Sequence, residues 1–421
     1  MVSTILSAFT VAEIRKKLAF TAIVLALYRV GSYIPVPGID IAAVEASDQF
    51  EGDSILGLLN TFSGGGLSRL ALFALGIMPY ITASIILQLL TVVVPSLEKL
   101  SKEGEVGQQR ITQYTRYLTV GLAFAQSIGY VFLFKSNNSG GAPIIPQFDV
   151  PHVFLIILSL TAGTILLMWM GELITQRGIG NGISLLIFAS IIAGLPQGVQ
   201  AWYTSSDQVF KVMMPFIALA VIASIVFIQE GQRRIPVQYA KRVIGRRMSS
   251  GGQTYLPLRV NMAGVIPVIF AASIMAFPPT IGQLINTPGA RSVATFFNPQ
   301  DAPYLIGESL MIIVFTYFYT AVTFNPVDQA ENLKKYGGFI PGVRPGRPTA
   351  EFLDRILARL TFPGALYLAA VAALPTILIA QTSANFFFGG TSLLIVVGVA
   401  LDTMKQLEAQ LMMRNYEGFL K

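Results

Sequence analysis

Long apolar runs alternate with short polar segments along the chain, and ten of the runs approach the roughly 20 residues that an α-helix needs to cross a bilayer. They cover approximately residues 18–34, 70–94, 115–134, 152–170, 182–199, 212–229, 260–282, 304–324, 357–380 and 390–403. The fifth and tenth are short and carry glycine, so their ends are the least defined. The pattern predicts an all-α membrane protein with ten transmembrane helices. Because the first run ends in IPVPGID and not in a small-residue cleavage site, it reads as the first span and not as a signal peptide.

The most informative run is FALGIMPYITASIILQLL, Phe73 to Leu90, entered through FSGGGLSRL and left through PSLEKLSKEGEVGQQRITQYTR. It sets a proline, small hydroxyl residues and two isoleucines four apart inside one apolar stretch. A span built this way is expected to line something.

Composition agrees with the pattern. Of 421 residues, 53% are hydrophobic and only 12% charged, against about 25% charged in ordinary soluble domains. Positive charge is unevenly placed. With the N-terminus inside, all but five of the 29 lysines and arginines fall on the cytoplasmic side, the exceptions being Arg29, Arg69, Lys135, Lys211 and Arg291. That asymmetry predicts an even number of crossings with both termini cytoplasmic. Ten spans divide into residues 1–200, with spans one to five, and residues 201–421, with spans six to ten. The first half then enters from inside and the second from outside, as an inverted-topology repeat requires. The halves share no strong sequence identity, so topology alone carries this reading.

Several chemistries are excluded by the residues present. The chain has no cysteine, hence no thiol nucleophile, disulfide or thiolate metal site. Its single histidine, His152, rules out HExxH and histidine-based triads. No G-x-x-x-x-G-K-[ST] occurs, so no P-loop is present. No cofactor is expected. RGIGNGIS, Arg177 to Ser184, is glycine-rich but follows an apolar helix, and reads as a tight turn between two spans. An ion-coupled solute transporter would want a carboxylate near the bilayer midplane. Glu308 lies near the outer start of span eight, and Glu172 and Asp402 lie at cytoplasmic ends.

Two basic loops, about 230–259 and 325–356, are long and carry turn chemistry that would present arginine at a tip: EGQRRIPVQYAKRVIGRRMSSGGQTYLPLRVN and NPVDQAENLKKYGGFIPGVRPGRPTAEFLDR. Arginine clusters suit phosphate or carboxylate surfaces, as on ribosomal RNA or an acidic protein. These loops read as a docking platform, with Arg233, Arg234, Arg246, Arg247, Lys334, Lys335 and Arg344 as the candidate contacts.

Over essentially its whole length the chain resembles the bacterial SecY family, the central subunit of the Sec protein-conducting channel. The resemblance rests on IPVPGID, FSGGGLSRLALFALGIMPYITASIILQLL, EGEVGQQRITQYTRY, MWMGELITQRGIGNGISLLIFA, EGQRRIPVQYAKR, LPLRVNMAGVIPVIFA, FNPVDQAENLKKYGGFIPGVRPG and FGGTSLLIVVGVALD, in this order. It implies two inverted-repeat halves around an hourglass pore, closed at the waist by a ring of apolar side chains. Carried onto this sequence, that ring is Ile77, Ile81, Ile187, Ile191, Ile269 and Ile395. The two i,i+4 pairs put both of their isoleucines on one helix face, and a stiff β-branched collar excludes water by dewetting. The segment from about 58 to 70, with Phe62, Ser63, Gly64, Gly65, Gly66 and Leu67, resembles a short plug helix.

Spans two and seven, with three and eight beside them, would form a lateral gate containing Thr82, Gln88, Gln126 and Phe277. The resemblance further implies SecE and SecG as membrane subunits and, as cytoplasmic partners, the SecA ATPase or a translating ribosome. Signal sequences and unfolded polypeptides would be the cargo, and the bacterial plasma membrane the location. The rival readings are an ion-coupled solute transporter and an intramembrane enzyme.

Overall fold

A computed structural model describes residues 11–45, 55–136, 143–204, 208–239, 243–244, 247–248, 253–276, 296–297, 301–382 and 390–419. Its helices are α1 (Ala12–Gly31), α2 (Ile41–Glu45), α3 (Ile55–Phe62), α4 (Met78–Val93), α5 (Pro95–Lys102), α6 (Glu105–Ser136), α7 (Val150–Arg177), α8 (Gly182–Thr204) and α9 (Gln208–Glu230). Strands β1 (Gln232–Tyr239), β2 (Val243–Ile244), β3 (Arg247–Met248) and β4 (Gln253–Arg259) follow, then α10 (Ile266–Met275), α11 (Ala302–Thr323) and α12 (Pro326–Lys335). The chain closes with β5 (Gly338–Phe339), α13 (Arg347–Thr382) and α14 (Gly390–Phe419).

Every predicted span coincides with a helix, but helix length supports fewer crossings than ten. Among the described residues seven helices are long and apolar enough to cross a membrane: α6, α7, α8, α9, α11, α13 and α14. The three remaining spans fall short for different reasons. Helix α1 opens on a charged turn with Glu13, Arg15, Lys16 and Lys17. Helix α4 has 16 residues and bends by 99° into α5, which gives an eighth candidate if the pair is one broken span. Helix α10 has 10 residues, and the rest of its apolar run, Phe277 included, lies outside the described residues.

The entry to the second span differs from its expected start at residue 70. Leu70 adopts the left-handed conformation (φ 44°), and helix begins only at Met78 with Pro79 in its first turn. Proline in the first turn loses no intrahelical hydrogen bond and brings a preset φ, so it starts helices readily. Pro95, Pro151, Pro267, Pro303 and Pro326 occupy the equivalent place in α5, α7, α10, α11 and α12. RGIGNGIS is the tight link expected, joining α7 to α8, with the Asn181 carboxamide accepting from Ile183 N–H at 3.1 Å.

A small sheet adds to the helical framework where the sequence suggested only basic loops. Its order is β4–β1–β5, with β1 antiparallel to both neighbours. In β1 the residues Ile235 and Val237 alternate inward, and they join Leu258, Phe324, Ile340, Leu353, Ile356 and Leu357 in one apolar cluster. The sheet therefore sits on the first turns of α13. Since β1 and β5 pair through Gln238↔Phe339 and Tyr239↔Gly338, the two basic loops are parts of one surface.

Candidate functional site

Four helices that are far apart in sequence become consecutive neighbours around the centre of the molecule: α4 packs on α10, α10 on α14, and α14 on α8, while α7 bridges α8 back to α4. They carry Ile81, Ile269, Ile395, and Ile187 and Ile191, with Ile77 capping the start of α4. All six isoleucines are buried, Ile191 and Ile395 to 0% exposure, and all six belong to the largest apolar cluster. The six side chains are aliphatic, so what they present is steric and apolar.

The segment expected to form a plug helix is helix only as far as Phe62. Gly64 and Gly65 have φ of 66° and 83°, so the chain turns there, and a short 3-10 turn follows over Leu67–Arg69. Left-handed conformations are cheap only for glycine, which is why the triplet breaks the helix. Helix α3 packs on α8, Phe62 enters the same apolar cluster as the six isoleucines, and Leu67 anchors a second cluster with Leu70 and Leu75.

What holds this turn in place lies on α1 and was not foreseen in the sequence. The Tyr28 hydroxyl donates to the Ser63 carbonyl at 3.1 Å and hydrogen-bonds the Ser190 hydroxyl of α8. Beside it, Arg29 donates to the Gly64 carbonyl at 2.8 Å. The Asn60 carboxamide accepts from Ser68 N–H at 2.9 Å, closing the turn on itself. Arg29 and Arg69 also flank the Tyr33 ring, their guanidinium carbons 5.2 and 4.2 Å from its centroid.

At the expected gate the contact between α4 and α10 is apolar and thinly bonded. Thr82 is buried but donates to Met78 O of its own helix at 3.0 Å. Gln88 Oε1 is buried without a hydrogen-bond partner, and Gln126 is half-buried. The two glutamines therefore do not satisfy one another across the seam. Among the described residues, a polar contact across it joins Ser273 Oγ to Met78 Sδ at 3.7 Å, a pair without a signal in the sequence. On the far side of α6, Arg116 makes a two-pronged ion pair with Glu172 of α7, at 2.9 and 2.6 Å.

The candidate docking residues divide in the same way. Arg233 and Arg234 are exposed on β1, and Lys334 and Lys335 are exposed in the last turn of α12. Arg344 is exposed on a turn bracketed by Gly342 and Gly346, both at positive φ. The turn is fastened from below by Thr349, whose hydroxyl donates to the Arg344 carbonyl at 2.8 Å. Arg246 and the Arg247 side chain lie outside the described residues.

Comparison with known proteins accounts for this geometry. The SecY family profile matches residues 71–404. The chain is 49% identical to the protein translocase subunit SecY of Streptomyces coelicolor over 438 aligned residues, covering 100% of both. It is 49% identical to the corresponding protein of Corynebacterium glutamicum and 48% to that of Mycobacterium tuberculosis, again over the full length of both. Among solved structures, one described as a protein conducting channel superposes with a TM-score of 0.62 at 20% identity, covering 93% of this chain and 91% of that one. Sec61 from a canine ribosome-channel complex gives 0.60 at 19% identity, with the same coverage. The buried isoleucines, the glycine turn beneath α1 and the basic sheet thus lie in a multi-span membrane protein that belongs to the SecY family of protein translocase subunits.

Proposed function

We propose that this chain forms the channel through which unfolded secretory polypeptides cross a bacterial plasma membrane, and that it releases membrane helices sideways between α4 and α10. The observation that carries the reading is the meeting of six buried isoleucines from four helices in one cluster, with Phe62 of the glycine turn packed against it. In this reading the chain crosses the membrane ten times with both termini cytoplasmic. Residues 1–200 and 201–421 are two halves around the pore, and the segment 58–70 is its plug. Cargo enters from the cytoplasm, its apolar signal segment lodges at the seam, the plug turn leaves its seat, and the chain threads the isoleucine ring. No bond is made or broken by this chain. The driving energy comes from a SecA-type ATPase or a translating ribosome docked on Arg233, Arg234, Arg246, Arg247, Lys334, Lys335 and Arg344, with SecE and SecG as membrane partners.

The deciding experiment follows a signal-bearing unfolded precursor into vesicles containing this chain with SecE, SecG, SecA and ATP. Precursor that becomes protease-resistant only when the chain is present supports the channel. A small-ion leak that appears on deletion of residues 64–67 supports the plug. No protection despite a folded, SecA-binding chain would return the reading to a solute transporter. A covalent link between cysteines at Thr82 and Phe277 should stop export, and normal export through the linked protein would remove these residues from the gate.

A further inference from the structure

Among the described residues one acidic or basic side chain is buried in the apolar interior: Glu308 of α11, 8% exposed. The packing of its helix shows where the carboxyl lies. Phe315 and Tyr319 both meet Phe270 of α10 edge to face, with ring centroids 6.0 and 6.2 Å apart. Glu308 precedes them by seven and eleven residues, close to two and three turns, so it continues the same stripe toward the start of α11. Gly307 beside it also faces α10, since an added Cβ there would stand 3.0 Å from Met275 Cε. Glu308 therefore sits at the joint between α11 and the described end of α10, the helix that packs on α4 at the seam.

No charge answers it. Among the described residues neither an ion pair nor a side-chain hydrogen bond reaches the carboxyl. The helices packed on α11 are α10, which has no acidic or basic residue, and α13, which has none between Arg359 and its end at Thr382. Tyr304 and Tyr319 share the stripe on α11, and Tyr367 of α13 is bonded to Ser224 at 2.6 Å. Asp301 stands exposed at the start of α11. An ionised carboxylate without a partner is costly in such surroundings, whereas the neutral acid needs no counter-charge.

We propose that Glu308 is a proton-binding site that biases the seam: the carboxyl keeps its proton while α10 is seated on α11 and gives it up to water when α10 moves. The proposal rests on the channel reading above, in which the α4–α10 boundary opens. Because the seated state holds the proton more tightly than the moved state, the seated state is favoured at low pH and loses ground as pH rises, by at most about tenfold per pH unit for one group. Glutamine at this position is neutral at every pH and keeps the seated state throughout.

Single-channel recording of the chain assembled with its membrane partners, across about pH 6 to 9, tests this. The frequency of brief openings should rise with pH in the unmodified chain, and Glu308→Gln should match it at low pH and fall progressively below it as pH increases. Glu308→Asp, which keeps the acid, should keep the rise. Parallel responses in the unmodified chain and Glu308→Gln would overturn the proposal, as would an unmodified chain indifferent to pH. A second measurement needs no variant and no channel activity. The apolar reagent dicyclohexylcarbodiimide modifies carboxyls that carry a proton, and at pH 7 carboxyls in water are ionised. Glu308 should be modified at pH 7 in the membrane-embedded chain, as read by mass spectrometry, and the modified chain should lose its pH response. A folded chain unmodified at Glu308, or a pH response that survives modification, overturns the proposal. Failure of the channel reading is scored apart, as absence of precursor transport by the unmodified chain in the same membranes.

Discussion

Tyr28 and Ser63 are separated by 35 residues and joined by a hydrogen bond of 3.1 Å that ties the glycine turn to α1. The tyrosine ring is itself stacked on Phe73, centroids 5.9 Å apart and 16° from parallel, so the hydroxyl is aimed by packing. Tyr28→Phe keeps the ring and removes the hydroxyl's bonds to Ser63 and to Ser190, of which the first, worth about 1 kcal/mol, ties down the turn. That corresponds to roughly a fivefold rise in the unseated population. Single-channel recording should show it as more frequent brief openings to small ions. An unchanged open probability would mean that the Arg29 contact holds the turn by itself.

The neighbouring glycines should respond unequally to substitution. Both have positive φ, which costs a side chain about 1 kcal/mol. At Gly64 an added Cβ also stands 2.7 Å from the Tyr28 hydroxyl oxygen, whereas at Gly65 it meets nothing within 4 Å. Gly64→Ala is therefore expected to leak more ions than Gly65→Ala, with the difference narrowed in a Tyr28→Phe background, where the Ser190 Cα at 3.2 Å still crowds the added Cβ.

At the constriction, volume and polarity can be separated. Ile191 is fully buried. Ile191→Val should cost about 0.5–1.5 kcal/mol, and Ile191→Ala about 2–5 kcal/mol. Thermal melts read these losses, while conductance reads the seal. Ile191→Asn should conduct ions more than Ile191→Ala does, since a polar rim wets more readily. Equal leak from the two variants would show that the gap matters and not its polarity.

How much of this was legible in the sequence depended on where each interaction leaves its mark. The apolar runs that hold the isoleucines are long, so the elements could be read, whereas the grouping of the six residues came from the family resemblance, and Ile77 stands just ahead of α4 as its cap. Tyr28 leaves no such mark, because its partner is a backbone carbonyl and its second contact, Ser190, lies on another helix. The start of α4 was hidden for a different reason. FALGIM is as apolar as a helix, and only Pro79 signals where the turn of chain ends. Strand β1 was masked by its arginines and by Pro236, a residue that a fully paired strand excludes. Pro236 is tolerated because β5 reaches only Gln238 and Tyr239, leaving one edge of β1 open at the proline.

Charge and shape at the Arg344 turn can be tested apart. Arg344→Glu should abolish SecA-driven export while changing the unfolding free energy by no more than about 0.5 kcal/mol, as for exposed positions elsewhere. Thr349→Val removes the hydroxyl that fastens the turn and keeps the charge. It should weaken docking less, and with a salt dependence like that of the unmodified chain. Full export by Arg344→Glu would move the contact to Arg233, Arg234 or the lysines of α12.

Across the seam, Met78 and Ser273 offer a lock. Cysteines at both positions, joined by oxidation or by a short bis-maleimide, should halt export of a signal-bearing precursor, and reductant should restore it in the oxidised form. Continued export through the linked chain would place the moving boundary elsewhere than between α4 and α10.

The pairing of β1 with both β4 and β5 gives the basic sheet a mechanical property. Strand β4 ends at Arg259 and α10 begins at Ile266, so little slack separates the sheet from the helix that carries Ile269. A load applied at the Arg344 turn passes through β5 into β1, and from β1 along the ladder from Gln238↔Gln253 to Gln232↔Arg259. Strands hydrogen-bonded side by side resist sliding collectively, because many bonds must break together. Two loops that look independent along the chain thus act as one stiff arm hinged beside α10, and a push at its tip is delivered to the seam instead of being lost in loop motion.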